Sequence, residues 1–174
     1  MIKADEMLFT VDENNTPTQP MKRKDVHALG IWHRVSHIWI VNNNEMLIQQ
    51  RSLIKDTSPG LWESFFGGHI PTGKSPELSA TEELHEELGL QVKITDLSFF
   101  KTFKNNTSKE FVYIFTHHTS KSTSEMKIET EEIQTIQWQQ IDVVKNNILD
   151  SSNREWSHPG YEKIMIEHIL SQAS

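Results

Sequence analysis

Residues 67–90 read GGHIPTGKSPELSATEELHEELGL, and four glutamates, Glu82, Glu83, Glu86 and Glu87, crowd the end of this segment. Ser75 suits a helix N-cap and Pro76 the first helical position. Gly89 fits the left-handed position that ends a helix, so the spacing predicts one short helix between them. At roughly 100° per residue, Glu83, Glu86 and Glu87 share about a third of its circumference. Leu78, Leu84 and Leu88 lie on the other side and are expected to face a core. Glu82/Glu86 and Glu83/Glu87 are like charges at i, i+4, each costing an isolated helix about 0.2–0.5 kcal/mol. No Lys or Arg within the helix offsets them. Oxygen ligands at this spacing suit Mg²⁺ or Mn²⁺, which points toward phosphate chemistry. The alternative is a solvated acidic face; the Gly67-Gly68-His69 turn and the matched caps weigh against it.

The other features bound what surrounds this helix. A chain of 174 residues suits a single domain, 1–174, with a real core. The net charge of −7 disfavours a nucleic-acid polymer as partner, although a bound cation reverses the local sign and admits a nucleotide. There is no cysteine, hence no disulfide, thiolate site or cysteine nucleophile. No apolar run is long enough to cross a membrane, and the N-terminus lacks a basic start followed by an apolar stretch; a cytoplasmic location is expected. Strands are expected at 6–11, 35–41, 46–50, 91–103, 110–116 and 133–138, with 35–41 and 46–50 joined as a hairpin through NNNE. Residues 53–66 read as irregular. A short helix is expected at 141–149 and a terminal amphipathic one at 160–172, with Ile164, Ile166, Ile169 and Leu170 as its apolar members. The irregular alternation implies a mixed sheet covered by helices.

The segment from Gly68 to Leu90 resembles the Nudix box: Gly, five residues, Glu, seven residues, Arg-Glu, an aliphatic, any residue, Glu-Glu, any residue, Gly and an aliphatic. Gly68, Glu83, Leu84, Glu86, Glu87, Gly89 and Leu90 stand in register with it. The resemblance implies an α/β (α+β) fold, an α/β/α sandwich with a mixed sheet in which the box forms a loop–helix–loop. It implies that Glu83, Glu86 and Glu87 hold the divalent metal, Mg²⁺ or Mn²⁺, joined by the backbone carbonyl of Gly68. It further implies hydrolysis of a nucleoside diphosphate derivative, with the base drawn from these glutamates or from Glu132 in ETEEI. Two positions depart from the pattern: Lys74 replaces the first Glu and Glu82 replaces the Arg. Both invert charge, so a swapped pair, Lys74 with Glu82, is expected to brace loop against helix; the rival account is drift toward a non-catalytic diphosphate-binding module.

Outside the box, VDENNTP, HRVSHIWIV and LIQQRSLIKDTSPGLWESFFGGH resemble type 1 isopentenyl-diphosphate isomerases and their hydrolase relatives. That resemblance implies a diphosphate held by Arg51 and Lys55, and a second metal held by His33, His69 and Glu110, with His27 matching only loosely. A second glutamate of that group falls on Ser108. The isomerase's catalytic cysteine falls on Gly67. Isomerising an alkene needs an acid and a base on opposite faces of the allylic unit, so hydrolysis of a nucleotide or other organic diphosphate is favoured over isomerisation. Trp156, expected in a loop, is the aromatic candidate for a substrate contact, whereas Trp62 and Trp138 read as packing residues. A homodimer is one arrangement open to the chain.

Overall fold

The structure is a computed structural model that describes residues 5–55, 57–150, 152–157 and 160–172. Its centre is a mixed sheet. Strand β3 (His33–Asn42) turns through Asn43, at φ 51°, into β4 (Glu45–Arg51). Asparagine tolerates that left-handed conformation, so NNNE closes the expected hairpin. The two strands pair only at Val41↔Met46 and Asn42↔Glu45, and then part. Into the fork run β5 (Trp62–Glu63), which pairs with β4, and β6 (Phe66–His69), which pairs with β3. The stretch expected to be irregular therefore supplies two short strands.

Helix α2 (Pro76–Leu88) follows, with Ser75 accepting from the Leu78 amide and Gly89 ending it at φ 67°. Strand β7 (Leu97–Asn105) is antiparallel to β8 (Glu110–His118), and β8 runs parallel to β3 along its whole length. Strand β9 (Ile133–Gln140) covers the outer edge of β4. Helices α3 (Ile141–Leu149) and α4 (Glu162–Gln172) close the chain.

Alternation along the strands sends two sets of apolar side chains to opposite faces. Ile38, Ile40, Leu47, Phe66 and Phe115 meet Ala80, Leu84 and Leu88 of α2. Val35, Trp39, Met46, Ile48, Val112 and Ile114 meet Val144 and Ile148 of α3 and Met165, Ile166 and Ile169 of α4. The result is the expected sandwich of helices on both faces of a mixed sheet.

Several expectations are corrected. The strand expected over 6–11 reduces to β1 (Met7–Leu8), paired with β2 (Met21–Lys22), plus isolated bridges at Thr10 and Val11. A helix that was not expected, α1 (Arg23–Leu29), follows β2 and ends at Gly30. The strand expected from 91 begins only at Leu97, after a 3₁₀ turn over Ile94–Asp96. In α4 the inward set is Glu162, Met165, Ile166 and Ile169, an i, i+3, i+4, i+7 stripe, which leaves Ile164 38% exposed. In α2 the buried stripe runs through Ala80, Leu84, Glu87 and Leu88, so Leu78 stays 39% exposed while Glu87 lies on the flank of the core.

These burials predict opposite outcomes for two leucines of one helix. Leu84→Ala should cost about 2–5 kcal/mol through a core cavity, whereas Leu78→Ala should stay within about 0.5 kcal/mol. Urea denaturation of both variants checks the contrast.

Candidate active site

The fork between β3/β6 and β4/β5 opens onto a cavity of about 890 Å³, and α2 closes one side of it. Strand β6 meets α2 through two glycines. Gly67 has φ +128°, and a Cβ built on it would stand 2.1 Å from the Ser36 carbonyl oxygen; only glycine fits there. Its amide donates to Glu87 Oε2 at 3.1 Å. At Gly68 an added Cβ would stand 2.7 Å from Glu83 Oε1, so this glycine lets the Glu83 carboxylate approach the backbone.

Glu83, Glu86 and Glu87 all line the cavity beside Gly67 and Gly68. Glu86 is exposed and Glu87 is buried. Burial pushes the Glu87 carboxyl well up, and the neighbouring charge of Glu83 pushes it further, against the Gly67 amide that favours ionisation. A buried carboxylate facing a second carboxylate is an arrangement that a divalent cation stabilises. The carboxylate oxygens beside Gly68 are a donor set that suits hard oxygen-seeking ions such as Mg²⁺ or Mn²⁺.

Cations line the other walls. Arg51, at the end of β4, donates to Glu63 Oε2 at 3.0 Å and to the Thr57 carbonyl at 3.0 Å. Burial raises the Glu63 carboxyl, with Arg51 opposing. Lys55 is ion-paired with Glu132, and the Ser52 amide donates to the Glu132 carbonyl, which ties this loop to the turn before β9. Arg23 also lines the cavity. It comes from α1, and sequence reading missed it because that helix carries one buried residue, Val26, and so no apolar periodicity.

A histidine cluster occupies the end nearest α1. His33 Nδ1–H donates to the Ile31 carbonyl at 2.9 Å, which turns the Nε2 lone pair outward. That Nε2 is buried, makes no hydrogen bond and lies 3.7 Å from Glu110 Oε1. His27 and His69 approach through their Nε2 atoms at 2.9 Å, and the three rings bring ligand atoms within 4.8 Å of one another. Burial pushes His69 well down and His27 down, so both favour the neutral, metal-ligating form. Burial would raise Glu110, but the neighbouring His33 imidazole and the Ser108 hydroxyl hold it below its usual range. Ser108, which replaces a glutamate of the isomerase pattern, donates to Glu110 Oε2 at 2.6 Å. The structure thus brings His27 in beside the predicted His33, His69 and Glu110.

Trp156 is corrected. It is 6% exposed within the core, its ring 6.4 Å from that of Trp62, and it does not line the cavity. Backbone bonds from Trp62 to Glu155 and from Ser157 to Trp62 lay this segment along β5 and turn the indole inward. Lys74 and Glu82 do meet, Nζ to Oε2 at 2.5 Å, both more than a third exposed.

The fold agrees with the comparisons to known proteins. The NUDIX domain model matches residues 30–159, and the chain belongs to the Nudix family. It is 29% identical over 139 residues to an uncharacterized Nudix hydrolase of Clostridium acetobutylicum, covering 74% of this chain and 67% of that protein. It is 28% identical over 142 residues to an isopentenyl-diphosphate Δ-isomerase of Pectobacterium atrosepticum, covering 80% and 79%. The crystal structure of DR0079 from Deinococcus radiodurans shares the fold, with a TM-score of 0.73 at 20% identity over 94% of this chain and 98% of that one.

The exposed Lys74–Glu82 pair should be worth no more than about 1 kcal/mol. Lys74→Glu should lower stability by about that amount and weaken Mn²⁺ binding, and Lys74→Glu/Glu82→Arg should restore both. Titration of Mn²⁺ by electron paramagnetic resonance and denaturant midpoints test this; no recovery in the double variant contradicts the brace.

Proposed function

We propose that the protein is a divalent-metal-dependent pyrophosphohydrolase acting on a nucleoside diphosphate derivative or another organic diphosphate. The observation that carries this reading is the meeting, in one cavity, of Glu83, Glu86, Glu87 and the Gly68 backbone with Arg23, Arg51 and Lys55. Carboxylates suit cations and cations suit phosphates, and a metal diphosphate needs both.

Glu83, Glu86, Glu87 and the Gly68 carbonyl would hold Mg²⁺ or Mn²⁺. When bound, such an ion supplies charge neutralisation on phosphate oxygens and lowers the pKa of water. The chain does the rest. Arg51, Lys55 and Arg23 orient the diphosphate, the bidentate fork of arginine matching phosphate oxygens. Glu132, on the cavity wall but outside the ligand set, takes the proton of the attacking water. Water oxygen bonds to phosphorus as the P–O–P bond breaks, and the leaving phosphate departs in line. Neither step requires a covalent intermediate with the protein. His27, His33, His69 and Glu110 form the proposed second metal site, with the unpartnered, buried His33 Nε2 as its first ligand.

Two observations weigh against the isomerase alternative. The chain has no cysteine. In addition, the position where the isomerase carries one is a glycine whose conformation and contact with Ser36 leave no room for a side chain. Gly67→Cys should therefore destabilise the fold by more than about 1 kcal/mol and release no dimethylallyl diphosphate from isopentenyl diphosphate. Among the described residues no helix is long and apolar enough to cross a membrane, and the cysteine-free composition favours the cytoplasm.

The test is phosphate release from a panel of nucleoside diphosphates, nucleotide sugars and isopentenyl diphosphate with Mg²⁺ or Mn²⁺. Glu86→Gln should lower the rate by about a hundredfold or more. Independently of turnover, Mn²⁺ at 100 times its Kd should stabilise the wild type by about 2.7 kcal/mol, a shift that Glu87→Gln should abolish. Silence across the panel, with Glu86→Gln indistinguishable from wild type, would leave a non-catalytic binding module.

A further inference from the structure

One polar pair on the cavity wall, half-buried His37 and buried Tyr161, lies outside the proposed metal and phosphate ligands. His37 lies on the face of β3 that carries Val35 and Trp39, toward α4, and it lines the cavity with Phe65, Val35 and Gln49. Its ring stacks on Phe65 at 4.1 Å between centroids and 18° between planes. Its Nδ1 is hydrogen-bonded to the hydroxyl of Tyr161, which is 1% exposed. The two residues are 124 positions apart, and the contact ties the residue just before α4 to the middle of β3.

The pair fixes a tautomer. Burial, then the carboxylates Glu110, Glu162 and Glu63, push the Tyr161 phenol well up, so it keeps its proton. No other hydrogen bond of that hydroxyl is seen among the described residues, so we take it as the donor to His37 Nδ1. The His37 proton must then sit on Nε2, the nitrogen left for the cavity. Burial pushes the imidazole down to about 4, against the pull of Glu110, so at neutral pH the ring is an uncharged N–H donor.

Its surroundings define what it meets. In β6 the residue directly opposite His37 is Gly67. A glycine there sets no side chain against the ring, the space of a Cβ being taken by the Ser36 carbonyl on the Ile38 side. Gln49 is 4% exposed and its amide nitrogen is held at 2.6 Å by the Phe65 carbonyl, which fixes the floor beside the ring. Helix α2 packs on the opposite face of the sheet from His37, while Arg51, Gln49 and Phe65 line the cavity with it.

We propose that His37, oriented by Tyr161, is a specificity-determining residue whose Nε2–H donates to an acceptor oxygen or ring nitrogen of the organic moiety attached to the diphosphate. This assignment rests on the hydrolase reading for where the diphosphate lies. A moiety with such an acceptor, a sugar or nucleobase, satisfies the floor. A hydrocarbon chain leaves a buried N–H unpaired and is rejected on that ground. His37 sets which diphosphate is accepted, and Tyr161 is the positioning residue that sets the tautomer.

The test uses the full chain in Ca²⁺ and calorimetric binding of UDP, ADP, isopentenyl diphosphate and inorganic pyrophosphate. Wild type should bind the better nucleotide about ten- to a hundredfold more tightly than isopentenyl diphosphate. His37→Phe should lose most of that preference with pyrophosphate affinity unchanged, and His37→Gln, which keeps an N–H donor, should retain most of it. Nitrogen-15 NMR should show His37 protonated at Nε2 in wild type and a mixed tautomer in Tyr161→Phe, a signature that loss of packing alone would not produce. Equal binding of isopentenyl diphosphate and nucleotides by wild type, a parallel loss of pyrophosphate binding in His37→Phe, or an Nδ1–H tautomer overturns the role of His37 and leaves the hydrolase reading standing. Failure of all four probes to bind overturns the diphosphate site itself and this role with it.

Discussion

The hydrogen bond from the Gly67 amide to Glu87 is the contact on which the rest of the site depends. It joins the strand that enters the fork of the sheet to the helix that carries the carboxylates. Neither partner has an alternative. Gly67 cannot become another residue because the Ser36 carbonyl occupies the space of a side chain. Glu87 is buried on the flank of the stripe by which α2 packs on the sheet, so its carboxylate must find a donor within the protein. Packing of Leu84 and Leu88 brings α2 to the sheet, and the amide then fixes one carboxylate against the backbone. The same approach brings Glu83 to Gly68. A hydrophobic contact thus holds like charges together at the mouth of a cavity, an arrangement that the proposed cation would stabilise.

Electrostatics divide the cavity into regions. Carboxylates on α2 face it from one side, and Arg51 at the end of β4 and Lys55 in the loop after it are each already paired with a glutamate. The histidine cluster joins His27 of α1 to His33 at the start of β3 and His69 of β6, with one orphaned nitrogen. The floor is different again, made of stacked rings and a neutral donor. On the proposed function, metal, phosphate and organic moiety would meet surfaces of different chemistry around the fork where β3 and β4 part.

Much of this was legible in the sequence where contacts are local. The box could be read because its caps, its i, i+4 glutamates and its glycines depend on neighbours a few residues away, and Lys74 meets Glu82 over a similarly short span. The hairpin through NNNE was legible for the same reason. What escaped depends on distant partners. Helix α1 has a single buried residue, so its sequence carries no period, and with it Arg23 and the approach of His27 were hidden. Trp156 sits in a segment without regular structure, but pairing with Trp62 turns it into the core. In VSHIWIV the histidine interrupts an otherwise apolar strand, and its meaning emerges only when Tyr161 and the fork surround it.

The central claim is that the α2 carboxylates and the Gly68 carbonyl hold a divalent cation in the fork of the sheet. Anomalous diffraction at the manganese edge, from crystals grown with Mn²⁺, tests it most directly. The account predicts a strong peak within coordinating distance of Glu83, Glu86 and Glu87, next to the Gly68 carbonyl oxygen. A fully ordered α2 with no anomalous peak among these carboxylates would contradict it.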